Sequence, residues 1–379
     1  MIPINRPWID NEEKDEIIKV IDENALTSAA RDGGKRVQEF ESSLRTFLNV
    51  KHVVAVNSGT AALHAALLAL DNIKSDDEVL LPSFTFVATA NAVVASGAKP
   101  VFVDINTKDY TIDLHDLKKK ISKKSKAIIP VHLYGHPADI TELNEIANQH
   151  SLYIIEDACQ SLGSTYKNKQ TGTFGKMGCF SMYASKVLTA GEGGAIVTNE
   201  DETADTLKMI RNHGMVEGYD TRLLGLNYRL PELSAAIAKI QMKKLKTILD
   251  LRRRNSLLLS NLLETIIKKY NIKIPQEDQI KKFNWYLYTL AFNGSGDLTL
   301  RDHIKKKLIE NGIGVAVYYD PPVHKTPFYQ KFSLNENDDL QNTNWSSEHV
   351  LSFPVHPGVS EMDIQNIVNV LEKELQNII

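Results

Sequence analysis

The first two thirds of the chain alternate short, wholly apolar runs with helical segments, and no other feature restricts the fold as much. Residues 53–56, 78–81, 100–105, 127–133 and 152–156 read as strands, and residues 59–70, 88–96, 114–121 and 140–149 between them read as helices. A strand apolar on both faces must be covered on both faces. Crossover helices of about 10–15 residues between such strands make the sheet parallel. The expectation is an α/β fold with a mainly parallel central sheet covered by helices. After Gly225 the pattern changes. Residues 232–263 keep a helical period behind Pro231, which suits a first helical position. Residues 285–292 and 315–319 read as strands, 361–376 as a closing helix, and the polar stretch 333–347 as a surface loop. This organisation predicts a large domain at 1–245 and a smaller C-terminal α+β domain at 246–379, with the N-terminal segment able to pack on the smaller one.

Composition narrows the function. The 379 residues carry a formal net charge of −3, with no basic excess or arginine-rich segment to suggest nucleic acid. No apolar run approaches the roughly 20 residues of a membrane span. The start, MIPINRPWIDNEEKDEII, lacks a charged residue run followed by a hydrophobic stretch, so no signal peptide is visible and a cytoplasmic location is expected. Cys159 and Cys179 have no partner histidines at metal spacing and read as reduced core residues, so neither zinc nor a disulfide is expected.

Open α/β sheets bind ligands beyond the carboxyl ends of their strands. Ser58, Asp157 and Lys186 each fall just past a strand. Lys186 stands in CFSMYASKVLTAGEGGAIVTNE, on a short loop between apolar runs at 179–182 and 195–198. A lysine held this way is a candidate for Schiff-base chemistry; alone, it would more simply be a solvated loop lysine. Asp157 ends the strand-like LYIIED, where a carboxylate is costly unless paired. It can pair with a protonated pyridine nitrogen or cap a nearby helix. Gln160, three residues further on, could hydrogen-bond a phenolic oxygen of such a ring. Asn57-Ser58-Gly59-Thr60 precedes a helix, and the free N–H groups there make an anion site. Ser58 and Thr60 add hydroxyls, or serve simply as caps. In PSFTF, Phe86 rather than Phe84 is chosen to stack on a ring, although both could be core. Phosphate turn, aspartate and lysine, in that order, are the anchors a pyridoxal phosphate site needs.

The segments NSGTAAL, PSFTFVATANAV, PVFVDI, EDACQSLGS, GTFGKMGCFSMYASKVLTAGEGGAIVT and GLNYRLPELSAAI resemble the DegT/DnrJ/EryC1/StrS family, from about Arg6 to the C-terminus. The resemblance implies the fold type I, aspartate aminotransferase-like architecture and a pyridoxal 5′-phosphate cofactor. It implies that Lys186 bonds the cofactor, Asp157 binds the pyridine nitrogen, and Gln160 lies by the phenolic oxygen. Phe86 falls at the stacking position. Ser58, Gly59, Thr60 and Ser181 fall where the phosphate is held. Asn227 matches a residue that reaches the phosphate from the second subunit of a homodimer. Arg229 beside it is a candidate for a substrate carboxylate or diphosphate. Tyr183 stands where many members have histidine, and Val187 where many have asparagine. Both bear on the sugar accepted. The stretch Tyr318 to His324 is either the sugar-side wall or an ordinary proline-rich loop.

The implied reaction moves an amino group from glutamate to a nucleotide-linked keto-sugar, with Lys186 as base and then acid. The lysine loop leans toward relatives that aminate C4 of 6-deoxy-4-keto-hexoses. Two rivals remain: a sugar dehydratase or lyase using the same cofactor, and a non-catalytic regulator of the same fold. Relatives that become dehydratases replace the lysine with histidine, and this chain keeps lysine. No DNA-binding segment is appended to support a regulator.

Overall fold

The computed structural model describes residues 1–70, 73–292, 298–332 and 339–378. Seven strands build the central sheet: β1 His52–Val56, β2 Glu78–Pro82, β3 Lys99–Val103, β4 Ser125–Ile128, β5 Tyr153–Asp157, β6 Met177–Ser181 and β7 Gly194–Thr198. Their order is β1-β7-β6-β5-β4-β2-β3. Every neighbouring pair is parallel except those made by β7, which runs antiparallel between β1 and β6. The mainly parallel fold type I architecture expected from the sequence is therefore present. Because β7 is reversed, its first residue, Gly194, lies beside the last residues of β1 and β6, Val56 and Ser181.

The apolar strands bury both faces. Val53 and Ala55 belong to one core, whereas Val54 and Val56 belong to another on the opposite side. The helix Gly59–Leu68 is apolar nearly all round, as a helix enclosed by other elements must be. It packs on β6, β7 and the helix Ala88–Ala95.

The long helix spans Glu232–Leu262, so the division expected at residue 245 falls inside it. Pro231 is its N-cap rather than its first helical residue. The helix packs against Asn11–Asp22, Lys35–Leu48 and the C-terminal helix Glu361–Ile378. Beyond it, β8 Ile272–Lys273, β9 Tyr288–Phe292 and β10 Val350–Phe353 form a second, antiparallel sheet.

Two further expectations are corrected. Residues 315–319 form no strand: only Ala316 pairs, exchanging hydrogen bonds with Ser352, after which the chain turns to bring Tyr318 and Tyr319 inward. The polar stretch 333–347 is not simply a loop, because Gln341–His349 is a helix. Asp104 accepts the N–H groups of Asn342 and Thr343 there, a long-range cap that local composition does not reveal. Residues 333–338 lie outside the described residues.

Candidate active site

β1 turns through Asn57 into the helix Gly59–Leu68, with Ser58 as its N-cap. Ser58 Oγ accepts the Ala61 N–H at 3.0 Å. The N–H groups of Gly59 and Thr60 have no acceptor within the helix and stand open to an anion. Two glycines make the close approach possible. A Cβ on Gly59 would lie 2.8 Å from Ser181 Cβ, and one on Gly194 would lie 2.2 Å from the Ser58 carbonyl oxygen. No side chain fits at either place without moving β6 or the helix start.

Asp157 ends β5 and is 5 % exposed. Its Oδ1 accepts the Cys159 N–H at 3.1 Å and its Oδ2 accepts the Thr89 hydroxyl at 2.8 Å. Both donors are neutral, so the carboxylate charge is left for a cation in front of it. Glu156, one residue earlier, faces the other way. It accepts from His132 and from the N–H groups of Gly172, Phe174 and Gly175, and so has a structural role.

Lys186 sits on the loop after β6, where its N–H closes a turn onto the Tyr183 carbonyl at 2.9 Å. Its side chain is half-buried, with Nζ 4.6 Å from the centroid of the Tyr286 ring. Ser185 Oγ is 3.2 Å from the Tyr286 hydroxyl, and the Ser185 carbonyl accepts from Asn5 Nδ2. Arg252, buried in the long helix, donates to Asn5 Oδ1 at 3.0 Å and to the carbonyls of Trp285 and Tyr286 at 3.2 and 3.1 Å. Burial lowers its pKa to about 10. An N-terminal arm, the long helix and the second sheet's lead-in thus clamp the lysine loop together.

The Ser58 turn, Asp157 and Lys186 face one cavity of about 620 Å³. Ser58, Gly59, Thr60, Phe86, Asp157, Gln160, Ser181, Tyr183, Lys186 and Tyr318 all line it. Phe86 is 54 % exposed with its ring available, whereas Phe84 is fully buried in the core. The Gln160 amide is held between the Tyr134 N–H and the Tyr319 hydroxyl, at 2.9 and 3.1 Å. Burial, with Tyr286 and Tyr183 nearby, pushes the Tyr318 phenol up to about 12.

Three expected site residues do not line this cavity. Asn227 is exposed, and its carbonyl accepts from Asn57 Nδ2 at 3.2 Å. Arg229 donates to Asn212 Oδ1 at 2.7 Å. His324 Nδ1 lies 2.7 Å from Ser83 Oγ, and burial lowers its pKa to about 4. Conversely, Thr85, Thr89, Ser185, Glu192 and Tyr286 line the cavity although sequence reasoning gives none of them a role, and Tyr319 lines it from the stretch 318–324 read as a sugar-side wall or a loop. None carries a motif of its own; only Glu192 and Ser185 could be found from sequence, by their closeness to Lys186 in the chain.

The family model for the DegT/DnrJ/EryC1/StrS aminotransferases matches residues 7–372. The chain belongs to this family. The chain is a sugar aminotransferase, as relatives named for their activity are. It is 33 % identical over 378 residues to GDP-perosamine synthase of Caulobacter vibrioides, covering 99 % of this chain and 98 % of that one. It is 35 % identical over 343 residues to the UDP-N-acetyl-3-dehydro-alpha-D-glucosamine 3-aminotransferase of Acidithiobacillus ferrooxidans, covering 90 % and 89 %. A solved DegT/DnrJ/EryC1/StrS aminotransferase from Brucella abortus superposes with a TM-score of 0.88 at 33 % identity, covering 96 % and 95 %.

DegT/DnrJ/EryC1/StrS aminotransferases depend on pyridoxal phosphate. The residues here fit that group. The Gly59 helix start suits its phosphate, the open side of Asp157 suits its ring nitrogen, and Lys186 shares their cavity. Among the described residues no group of three or more His, Cys, Asp or Glu side chains could hold a metal, and no helix is long and apolar enough to cross a membrane.

Proposed function

We propose that this protein moves an amino group from glutamate to the keto carbon of a nucleotide-linked sugar, using pyridoxal phosphate, for amino-sugar and glycan biosynthesis. The favoured position is C4 of a 6-deoxy-4-keto-hexose, which the Tyr183-containing lysine loop and the GEGG turn support by likeness to relatives of that kind. One observation carries the reading: Lys186, Asp157 and the Gly59 helix start converge on a single cavity from three distant parts of the chain.

In this reading the N–H groups of Gly59 and Thr60, with the Ser58, Thr60 and Ser181 hydroxyls, hold the phosphate. Phe86 would stack on the ring and Gln160 would hydrogen-bond its phenolic oxygen. Asp157 holds a proton on the ring nitrogen. When bound, the protonated ring draws electron density from the bond being broken. Lys186 anchors the cofactor between turnovers. It then takes the proton from the amino acid's α-carbon and delivers it again, as base and then acid. Tyr183 and Tyr318, which line the cavity, belong to the sugar side, whereas His324 is left outside it against Ser83. The retained lysine favours amino transfer over the dehydratase reading. Two free cysteines suit the reducing cytoplasm.

The test is a mass-spectrometric screen of purified enzyme and glutamate against a panel of nucleotide keto-sugars. The expected result is one aminated sugar with 2-oxoglutarate formed in equal amount. Sugar conversion without 2-oxoglutarate would mean a lyase, and no conversion together with no bound cofactor would favour a regulator.

The same reading includes a homodimer with shared sites. Asn227 is exposed, and the segment before it exposes Val216, Tyr219 and Leu224, at 37, 98 and 71 %. Apolar side chains so displayed suit an interface. A two-fold axis lets each copy present Asn227 and Arg229 to the other's phosphate and substrate. Mixing inactive Lys186→Ala subunits with inactive Asn227→Ala subunits is then expected to restore activity, because one site of each mixed dimer has both residues. If Asn227→Ala is too mild, Arg229→Ala takes its place. Confirmed mixed dimers without recovery would mean that each site is built within one chain.

A further inference from the structure

Asp157 is backed by two threonine hydroxyls in series. Thr85 and Thr89 are both 1 % exposed and stand four residues apart where the helix Ala88–Ala95 begins. Thr89 Oγ1 lies 2.8 Å from Asp157 Oδ2, 3.0 Å from Thr85 Oγ1 and 3.2 Å from the Phe86 carbonyl oxygen. A hydroxyl has one proton to give. Of the two oxygens that can only accept, the Phe86 carbonyl is neutral and the more distant. An ionised carboxylate can only accept. The Thr89 proton therefore points at Asp157, its shortest contact, and Thr85 donates to the Thr89 oxygen in turn. The two hydroxyls form a chain polarised in one direction, each strengthening the next. The Cys159 N–H fixes the other carboxylate oxygen at 3.1 Å.

We propose that Thr89, backed by Thr85, is a positioning residue that keeps the negative charge on Asp157, so that the proton shared with the cofactor stays on the ring nitrogen. The two donors hold both carboxylate oxygens as acceptors and fix the group's orientation. Removing one leaves Oδ2 facing a buried methyl group. With the cofactor bound, Asp157 would then hold the proton on the ring nitrogen less well, and proton removal by Lys186 would slow. The remaining side of the carboxylate faces the cavity, which Asp157, Thr85 and Thr89 all line. The inference rests on the pyridoxal phosphate reading above. It adds to that reading a second layer of residues, without motif character, that controls where the proton sits.

The experiment compares wild type with Thr89→Val, Thr89→Ser and Thr85→Val, each loaded with pyridoxal 5′-phosphate carrying ¹⁵N in the ring. Thr89→Val keeps the shape and loses the hydroxyl; Thr89→Ser keeps the hydroxyl. Three quantities are read: the ring ¹⁵N chemical shift, the cofactor Kd of the apoenzymes by fluorescence titration, and kcat and KM for the keto-sugar. Wild type and Thr89→Ser are expected to show a protonated ring. Thr89→Val is expected to shift toward the neutral ring and to lose about 10- to 100-fold in kcat with little change in KM, the scale of one hydrogen bond to a charged group. Thr85→Val is expected to move the shift the same way with a loss of about threefold, the scale of one neutral hydrogen bond. A protonated ring and unchanged kcat in Thr89→Val would overturn the proposal and leave the cofactor reading standing. Wild type that binds no pyridoxal phosphate would overturn both. Should Thr89→Val fail to fold, the ¹⁵N shifts of Thr85→Val and Thr89→Ser decide.

Discussion

Lys186→Ala is expected to abolish amino transfer while leaving the fold in place. The side chain is half-buried, and it rests on the Tyr286 ring face, 4.6 Å from Nζ. Such a contact contributes about 0.5–2 kcal/mol, so Tm should fall by no more than about 4 °C per kcal/mol lost in a chain of this size. Function is affected on another scale. Lys186 is asked both to bond the cofactor and to move the α-proton, and a lost acid–base group alone costs about 10²–10⁴ in rate. The protein should lose the visible absorbance of lysine-bound cofactor, and turnover should drop below detection. Added methylamine should restore a small part of the rate, because it supplies the missing base. An unchanged visible spectrum would show that the cofactor is bonded elsewhere.

Asp157→Asn is the second large effect, and the geometry explains why the fold should tolerate it. An asparagine Oδ1 can still accept the Cys159 N–H. Its Nδ2 would face Thr89, whose hydroxyl can swing to the Phe86 carbonyl at 3.2 Å and accept instead of donating. No buried polar atom is left without a partner, which is where large stability losses arise. The amide cannot hold a proton on a ring nitrogen, however, so the electron sink fails. A loss of about 3 kcal/mol of transition-state stabilisation is expected, or about 150-fold in kcat/KM. Steady-state kinetics with a circular-dichroism melt separate the two effects. Near-normal kinetics would mean that another group supports the ring.

These two residues are legible in the sequence because each carries chemistry at a place where chemistry is otherwise costly. A carboxylate at the end of LYIIED and a lysine between two buried runs both call for a partner. NSGT ahead of an alanine-rich helix is legible as an anion site for a related reason: a helix start always leaves N–H groups unpaired. Phe86 and Phe84 are the same residue type two positions apart, and nothing local separates them. The fold separates them physically, with Phe84 enclosed by Tyr110, Tyr134 and Tyr319 and Phe86 left facing the cavity.

Local pattern is less reliable where a distant partner decides the outcome. Residues 315–319 have strand composition, but one residue pairs and the next turn carries Tyr318 and Tyr319 to the site. The 341–349 helix has loop-like composition and is started by Asp104, more than 200 residues away in the chain.

The sequence by itself determined the alternation of apolar strands and helices, the covered sheet this requires, and the lysine, aspartate and small-residue turn at its strand ends. Those features are local: burial on both faces, a costly charge and a helix start are each written within a few consecutive residues. Only the tertiary structure decided that β7 enters the sheet reversed, bringing Gly194 against Ser58. It also decided that Thr89 meets Asp157 across 68 residues and that Asn5 and Arg252 hold the Lys186 loop. A threonine in an alanine-rich helix or an asparagine near the N-terminus has no chemical signature of its own. Its role comes from which group lies within about 3 Å once the chain has packed, and hydrogen bonds act only at that range.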